Sequence, residues 1–174
     1  AISDSACESS LRAIELAKGN GVKISFDTNL RLKLWSLSRA KALIQHVASL
    51  ADFVLPGLDD ARQLTGLENP QTIVDEYLKM GVEVVALTLG GEGVLIATRN
   101  GTREQIPGIP VNLVDATAAG DCFDGGFLSE WLRTTDLLKA ARYGNTAASL
   151  SVQHFGAVSS LPSRKKTEIS LRNE

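Results

Sequence analysis

A chain of 174 residues, 44% hydrophobic and 22% charged with few aromatics, has the make-up of a folded domain that buries its own core, which excludes a disordered chain. Its formal net charge of −2 gives no reason to expect nucleic acid or an anionic membrane as partner, although backbone amides can still bind a phosphate. No apolar run reaches the ~20 residues that span a bilayer, and Ala1-Ile2-Ser3-Asp4 has no basic region leading into an apolar stretch, so a cytoplasmic protein is expected.

Asp4 or Ser5 can cap a first helix that runs through Leu11, Ile14 and Leu16 to Lys18, and Gly19-Asn20-Gly21 stops it. Val22–Phe26 alternates apolar and polar residues, as a strand does. Ser36 or Ser38 can cap the next helix, with Ala40, Leu43, Ile44 and Val47 on one face. Asp52–Leu55 is a short strand ended by Pro56-Gly57, and a short helix from Asp59 to Leu64 closes at Gly66. Another helix starts near Pro70, with Ile73, Val74, Tyr77 and Leu78 apolar, and ends at Gly81. Val84–Leu89 is a continuous apolar run, as in a strand covered on both faces. Gly93–Ala97 is the next strand, Asn100-Gly101 is a turn, and a strand through Val111–Val114 ends at Asp115. Two long helices follow, over about 119–133 and 136–153.

Strands alternating with helices predict an α/β fold with a mainly parallel sheet in a single domain over 1–174. In such sheets ligands bind beyond the carboxyl ends of the strands, which selects Asp27–Arg31, Pro56–Asp60, Thr88–Gly93 and Asp115–Asp121. Cys7 and Cys122 have no metal-ligand spacing and are expected as two reduced thiols. His46 and His154 are isolated and read as ordinary surface or core residues.

The most informative segment is Val114-Asp115-Ala116-Thr117-Ala118-Ala119-Gly120-Asp121-Cys122-Phe123. Small residues between a strand end and a helix leave the first-turn amides bare, and with the helix dipole they make an anion site. A carboxylate beside a bound phosphate is electrostatically costly, and general-base work on an attacking hydroxyl gives Asp121 a reason to be there. The plainer account is a small-residue connection with an ordinary N-terminal Asp.

This segment is similar to the D-T-x-G-A-G-D-x-F signature of the ribokinase-like (PfkB) carbohydrate kinases. Asp115, Ala119, Gly120, Asp121 and Phe123 match, Ala116 stands for Thr, and Ala118 stands for the first Gly. If residue 118 needs a positive φ, Ala is strained there. The resemblance implies a ribokinase-like three-layer αβα sandwich with a mainly parallel sheet. It also implies Asp121 as catalytic base and the amides of Ala118, Ala119, Gly120 and Asp121 as an anion hole.

Other segments agree in family order. Thr88-Leu89-Gly90-Gly91-Glu92-Gly93 resembles the T-x-G-x-x-G turn near the nucleotide phosphates, which assigns Thr88, Gly90 and Gly93 to the nucleotide. Leu55–Gly66 resembles the N-x-x-E segment, with Gly57 in place of Asn and Asp60 in place of Glu, which leaves Asp60 a candidate for water-mediated Mg²⁺ contact. Ala141–Ala148 before Phe155-Gly156-Ala157 resembles the helix and loop bordering the adenine, with Asn145 near base or ribose. Phe26-Asp27-Thr28-Asn29-Leu30-Arg31-Leu32-Lys33-Leu34-Trp35 looks like the D-x-N-x-R-x-x-L-W segment of 2-keto-3-deoxygluconate kinases. That resemblance puts Asn29 and Arg31 at the nucleotide, has Arg31 also meet an acidic sugar, and leaves Trp35 to packing. Without it, Arg31 is a surface residue of a polar loop and Asn145 a polar helix residue.

The resemblance covers nearly the whole chain, but family members are much longer and begin with N-terminal strands, a paired-Gly sugar segment and a β lid that this sequence does not show, so the resemblance implies a partial domain. It implies ATP and Mg²⁺ as cofactors, with a monovalent cation left open, and a small-molecule sugar acid as substrate. The expected reaction is phosphorylation of 2-keto-3-deoxygluconate at its terminal hydroxyl to the 6-phosphate. Another sugar kinase of the family, such as a fructokinase, and a truncated nucleotide-binding remnant without activity are the alternatives. A dinucleotide-binding domain is disfavoured because no G-x-G-x-x-G follows the first strand. The missing strands predict a homo-oligomer, or pairing of a bare sheet edge with another chain.

Overall fold

In the computed structural model, residues 3–172 are described. Five strands and seven helices follow one another as α1 (Asp4–Gly19), β1 (Ser25–Phe26), α2 (Leu37–Leu50), β2 (Phe53–Val54), α3 (Leu58–Thr65), α4 (Pro70–Lys79), β3 (Val84–Thr88), β4 (Gly93–Thr98), β5 (Arg103–Pro107), α5 (Ala119–Thr134), α6 (Leu137–Ser151) and α7 (Arg164–Leu171). The strands form one sheet in the order β1-β2-β3-β4-β5. β1 pairs with β2 and β2 with β3 in parallel, in the register Ser25 to Phe53 and Phe53 to Val84. Four-residue connections after β3 and β4 are too short for a crossover, which makes the sheet mixed.

The chain divides into two compact units. One runs through Leu87 and includes Ala97–Arg103, and the other is Thr88–Ile96 with everything from Glu104 onward. In the first unit α2 buries Ala40, Ile44 and Ala48, four residues apart, while α4 buries Ile73, Val74 and Tyr77. Ser36 caps α2, and Asn69 caps α4 ahead of Pro70. Val84–Leu87 of β3 are all buried, as their unbroken apolar run requires. α1 has no buried residue and is tied to α2 by an ion pair between Asp4 and Arg39. In the second unit α5 and α6 approach closely enough that a Cβ built on Gly126 would lie 3.0 Å from Gly144 Cα.

Four expectations are corrected. Ser3, not Asp4 or Ser5, caps α1, through a bond from the Ala6 amide to its Oγ, which frees Asp4 for Arg39. β1 keeps only Ser25–Phe26 of Val22–Phe26, because Lys23 turns to Asp52 and Glu83, and Val22 is 57% exposed. Val111–Val114 is not a strand: the amides of Val114 and Asp115 both donate to the Val152 carbonyl at the end of α6. The last strand is instead β5, where only Ile106 is buried, and α7 closes the described chain unforeseen. Cys7 and Cys122 are both free. Among the described residues no helix is long and apolar enough to cross a membrane.

Candidate active site

The N-terminus of α5 is built by the segment before it. Asp115 Oδ1 accepts from the Thr117 amide at 2.9 Å and from the Thr117 hydroxyl at 2.6 Å, and Oδ2 accepts from the Gly156 amide at 2.9 Å. These bonds, the Thr117 hydroxyl first, hold the Asp115 carboxyl below its usual value and brace the turn against the loop after α6. Ala118 then takes a left-handed conformation, φ 60° and ψ 22°, and the helix starts with no side-chain cap. The Ala119 amide donates to Ala116 O at 3.1 Å and the Cys122 amide to Ala118 O at 2.9 Å. Among the described residues the amides of Gly120 and Asp121 have no recorded acceptor, and both residues are exposed. Two bare donors at the positive end of a 16-residue helix are suited to an anion, and the Asp121 carboxylate stands in the same turn.

The turn between β3 and β4 is shaped by close backbone approach. Gly93 has φ 97°, and a Cβ there would lie 2.0 Å from Ile106 O. Gly90, inside the 3₁₀ turn Gly90–Glu92, also has a positive φ, and a Cβ on Gly108 would meet Gly91 O at 1.9 Å. Glycine is therefore required at Gly93 and at Gly108, and its conformational freedom is used at Gly90.

Beside it lies a cavity of about 420 Å³ whose walls include Gly90, Gly91, Ile109, Val111, Ala119, Asn145 and Val152. Asn145 Nδ2 donates to Pro107 O at 2.9 Å and so ties the 107–110 segment to α6. A mostly apolar slot with few polar groups, opening at a helix N-terminus, has the chemistry to take a nucleobase and ribose.

Of the residues selected from sequence, Gly90, Ala119 and Asn145 line this one cavity, while Ala118, Gly120 and Asp121 form the adjoining first turn of α5. Thr88 ends β3 and Gly93 begins β4. Asn29, Arg31 and Asp60 belong to the first unit. There Asp27 Oδ1 accepts from the Asn29 amide at 3.0 Å, Asp60 Oδ2 accepts from the Leu30 amide at 2.7 Å, and Arg31 Nη1 donates to Leu30 O at 3.2 Å. Trp35 packs against the cluster of Leu30, Ala40, Ile44 and Leu64. The bracing role of Asp115 and the apolar walls Ile109, Val111 and Val152 went unread. Asp-x-Thr is a local signal for the Thr117 bonds, but nothing in sequence points to Gly156.

Residues 1–164 match the model of the pfkB family carbohydrate kinases. The chain belongs to that family. It is 39% identical over 149 residues to the 2-dehydro-3-deoxygluconokinase of Bacillus subtilis, covering 84% of this chain and 45% of the relative. It is 36% identical over 160 residues to the ribokinase of Haemophilus influenzae, covering 89% and 49%. A structure of the fructokinase of Vibrio cholerae O395, with fructose, ADP and calcium ion bound, superposes with a TM-score of 0.91 at 29% identity, covering 98% of this chain and 57% of that one. The fold is thus ribokinase-like, with helices flanking one sheet. The chain spans about half the length of the curated pfkB relatives it matches.

Proposed function

We propose that this chain carries the nucleotide-binding and phosphoryl-transfer part of an ATP-dependent sugar kinase that acts on the terminal hydroxyl of 2-keto-3-deoxygluconate and forms the 6-phosphate. The observation that carries the reading is the open N-terminus of α5, where among the described residues the Gly120 and Asp121 amides have no acceptor, beside the Asp121 carboxylate.

In this reading Asp121 takes the proton of the attacking hydroxyl as its oxygen bonds to the γ-phosphorus and the bond to the ADP oxygen breaks. The amides of Ala118, Gly120 and Asp121 take up charge on the transferring phosphoryl group. The amide of Ala119 contributes less, being turned to Ala116. The cavity walls with Asn145 hold base and ribose, and the Thr88–Gly93 turn lets backbone approach the phosphates. Among the described residues no group of three or more His, Cys, Asp or Glu could hold a metal ion, so a divalent cation fits as Mg²⁺ held by phosphates and water. Such an ion neutralises phosphate charge.

Arg31 supports an acidic sugar, since its guanidinium can fork onto a carboxylate, and the 39% identity to a 2-dehydro-3-deoxygluconokinase agrees. A neutral pentose or hexose is the second reading, favoured by the 36% identity to a ribokinase. Turnover of 2-keto-3-deoxygluconate, ribose and fructose by the intact protein carrying this chain separates the two. Arg31→Ala should cost about 2–3 kcal/mol in kcat/KM for the acidic sugar and much less for neutral ones. Equal losses would assign Arg31 to the nucleotide or to folding.

A further inference from the structure

We propose that Asp60 is a positioning residue for the turn that carries Arg31, holding the Leu30 amide through its Oδ2 at 2.7 Å and so presenting Arg31 to an acidic sugar. The proposal rests on the reading of Arg31 given above and deepens it.

Three observations lead here. Asp60 lies in the first turn of α3, where a carboxylate commonly meets its own helix amides, yet α3 has no side-chain cap and the carboxylate reaches a segment thirty residues away. Leu30 is 6% exposed and packs with Ala40, Ile44 and Leu64, so its amide has little access to water and needs an acceptor inside the protein. The turn is also one that does not hold itself: Asn29 has φ 34°, a left-handed value that a non-glycine residue keeps only when its surroundings determine it. Asp27 fixes the Asn29 amide from within the turn, and Asp60 fixes the next amide from outside. Arg31 follows directly, its guanidinium returning to the Leu30 carbonyl of the clamped peptide. The side chain at 60 is one methylene shorter than the Glu of the resembling motif, and this shorter arm holds the Leu30 amide through Oδ2.

A clamp and a cation contact predict different losses. In the intact protein, Asp60→Ala should speed amide hydrogen exchange over 27–31 at least about tenfold, as expected when a buried amide loses its charged acceptor. KM for 2-keto-3-deoxygluconate should rise about tenfold, with kcat and half-saturating Mg²⁺ changed less than about twofold. Asp60→Asn keeps an acceptor oxygen for Leu30 and should restore both exchange and KM. Should Asp60→Ala not fold, Asp60→Glu serves: its extra methylene displaces the acceptor while keeping the charge, so exchange and sugar KM should still rise. Unchanged exchange over 27–31 in either variant, or a shifted Mg²⁺ dependence with an unchanged sugar KM, would overturn the proposal. If wild type turns over no acidic sugar, the reading of Arg31 fails, and the presentation of Arg31 to sugar fails with it, while hydrogen exchange still decides whether the clamp exists.

Discussion

Ala118 stands where the resembling signature has glycine, and its φ of 60° puts an L side chain in the left-handed region. That conformation costs a non-glycine residue about 1–2 kcal/mol, while glycine costs about 0.4–1 kcal/mol through the freedom of the unfolded chain. Ala118→Gly should therefore stabilise the protein by a net ~0.5–1 kcal/mol, or about 1–4 °C in melting temperature. Differential scanning calorimetry checks it, and a lower melting temperature would contradict the strain. The identity of the residue was legible in sequence, but its strain was not, because φ is set by a turn that Asp115 braces through Gly156, 41 residues on. Asp121 and Asn145 could be selected as candidates because their motifs are local. The bond from Asn145 to Pro107 depends on which strand ends near α6, and β5 was not read.

At the scale of elements, α5 and α6 meet through glycine. A Cβ on Gly144 would stand 2.9 Å from Phe123 O and 3.0 Å from its ring, so Gly144→Ala should cost about 1–3 kcal/mol by overpacking. Chemical denaturation should show it, and an unchanged midpoint would mean that the pair can part without loss. The same pair carries Glu130, whose side chain is 7% exposed and bonds Arg133 Nε at 3.0 Å and Arg164 Nη1 at 3.1 Å. Arg164 also lies 5.1 Å over the Tyr143 ring, fastening α7. The Arg133 bonds, and then those to Arg164, hold the Glu130 carboxyl below its ordinary value despite its burial. A depressed carboxyl stabilises the fold above its unfolded value of about 4.3 and loses that contribution as pH falls through the folded value. Melting temperature should accordingly drop on acidification below about pH 4, and Glu130→Gln should flatten the drop; an equal drop in the variant would assign the pH dependence to other groups. The helices α1 to α6 were legible to within a few residues from their caps and apolar spacing, whereas α7 was not read. The strands were less so. Val111–Val114 has strand composition, but its amides go to the end of a helix. β5 has strand geometry with one buried side chain, too little for a period of two to register.

For the molecule as a whole, alternation of strands and helices was enough to read an α/β fold, and the glycines at the β3–β4 turn and the small residues before α5 were enough to select segments that the structure brings to one cavity. Sequence left unread what depends on pairing: the mixed order of the sheet, the walls of the cavity, and the commitment of Asp60 to Leu30. Those features join residues far apart in the chain, and no local pattern carries them. We propose the first turn of α5 as a phosphoryl-transfer site with Asp121 as base. Its most direct test is kcat of Asp121→Asn in the intact protein with 2-keto-3-deoxygluconate and MgATP, alongside calorimetric binding of nucleotide. The account predicts a fall in kcat on the order of 10²–10⁴-fold with nucleotide binding retained; a kcat near that of wild type would contradict it.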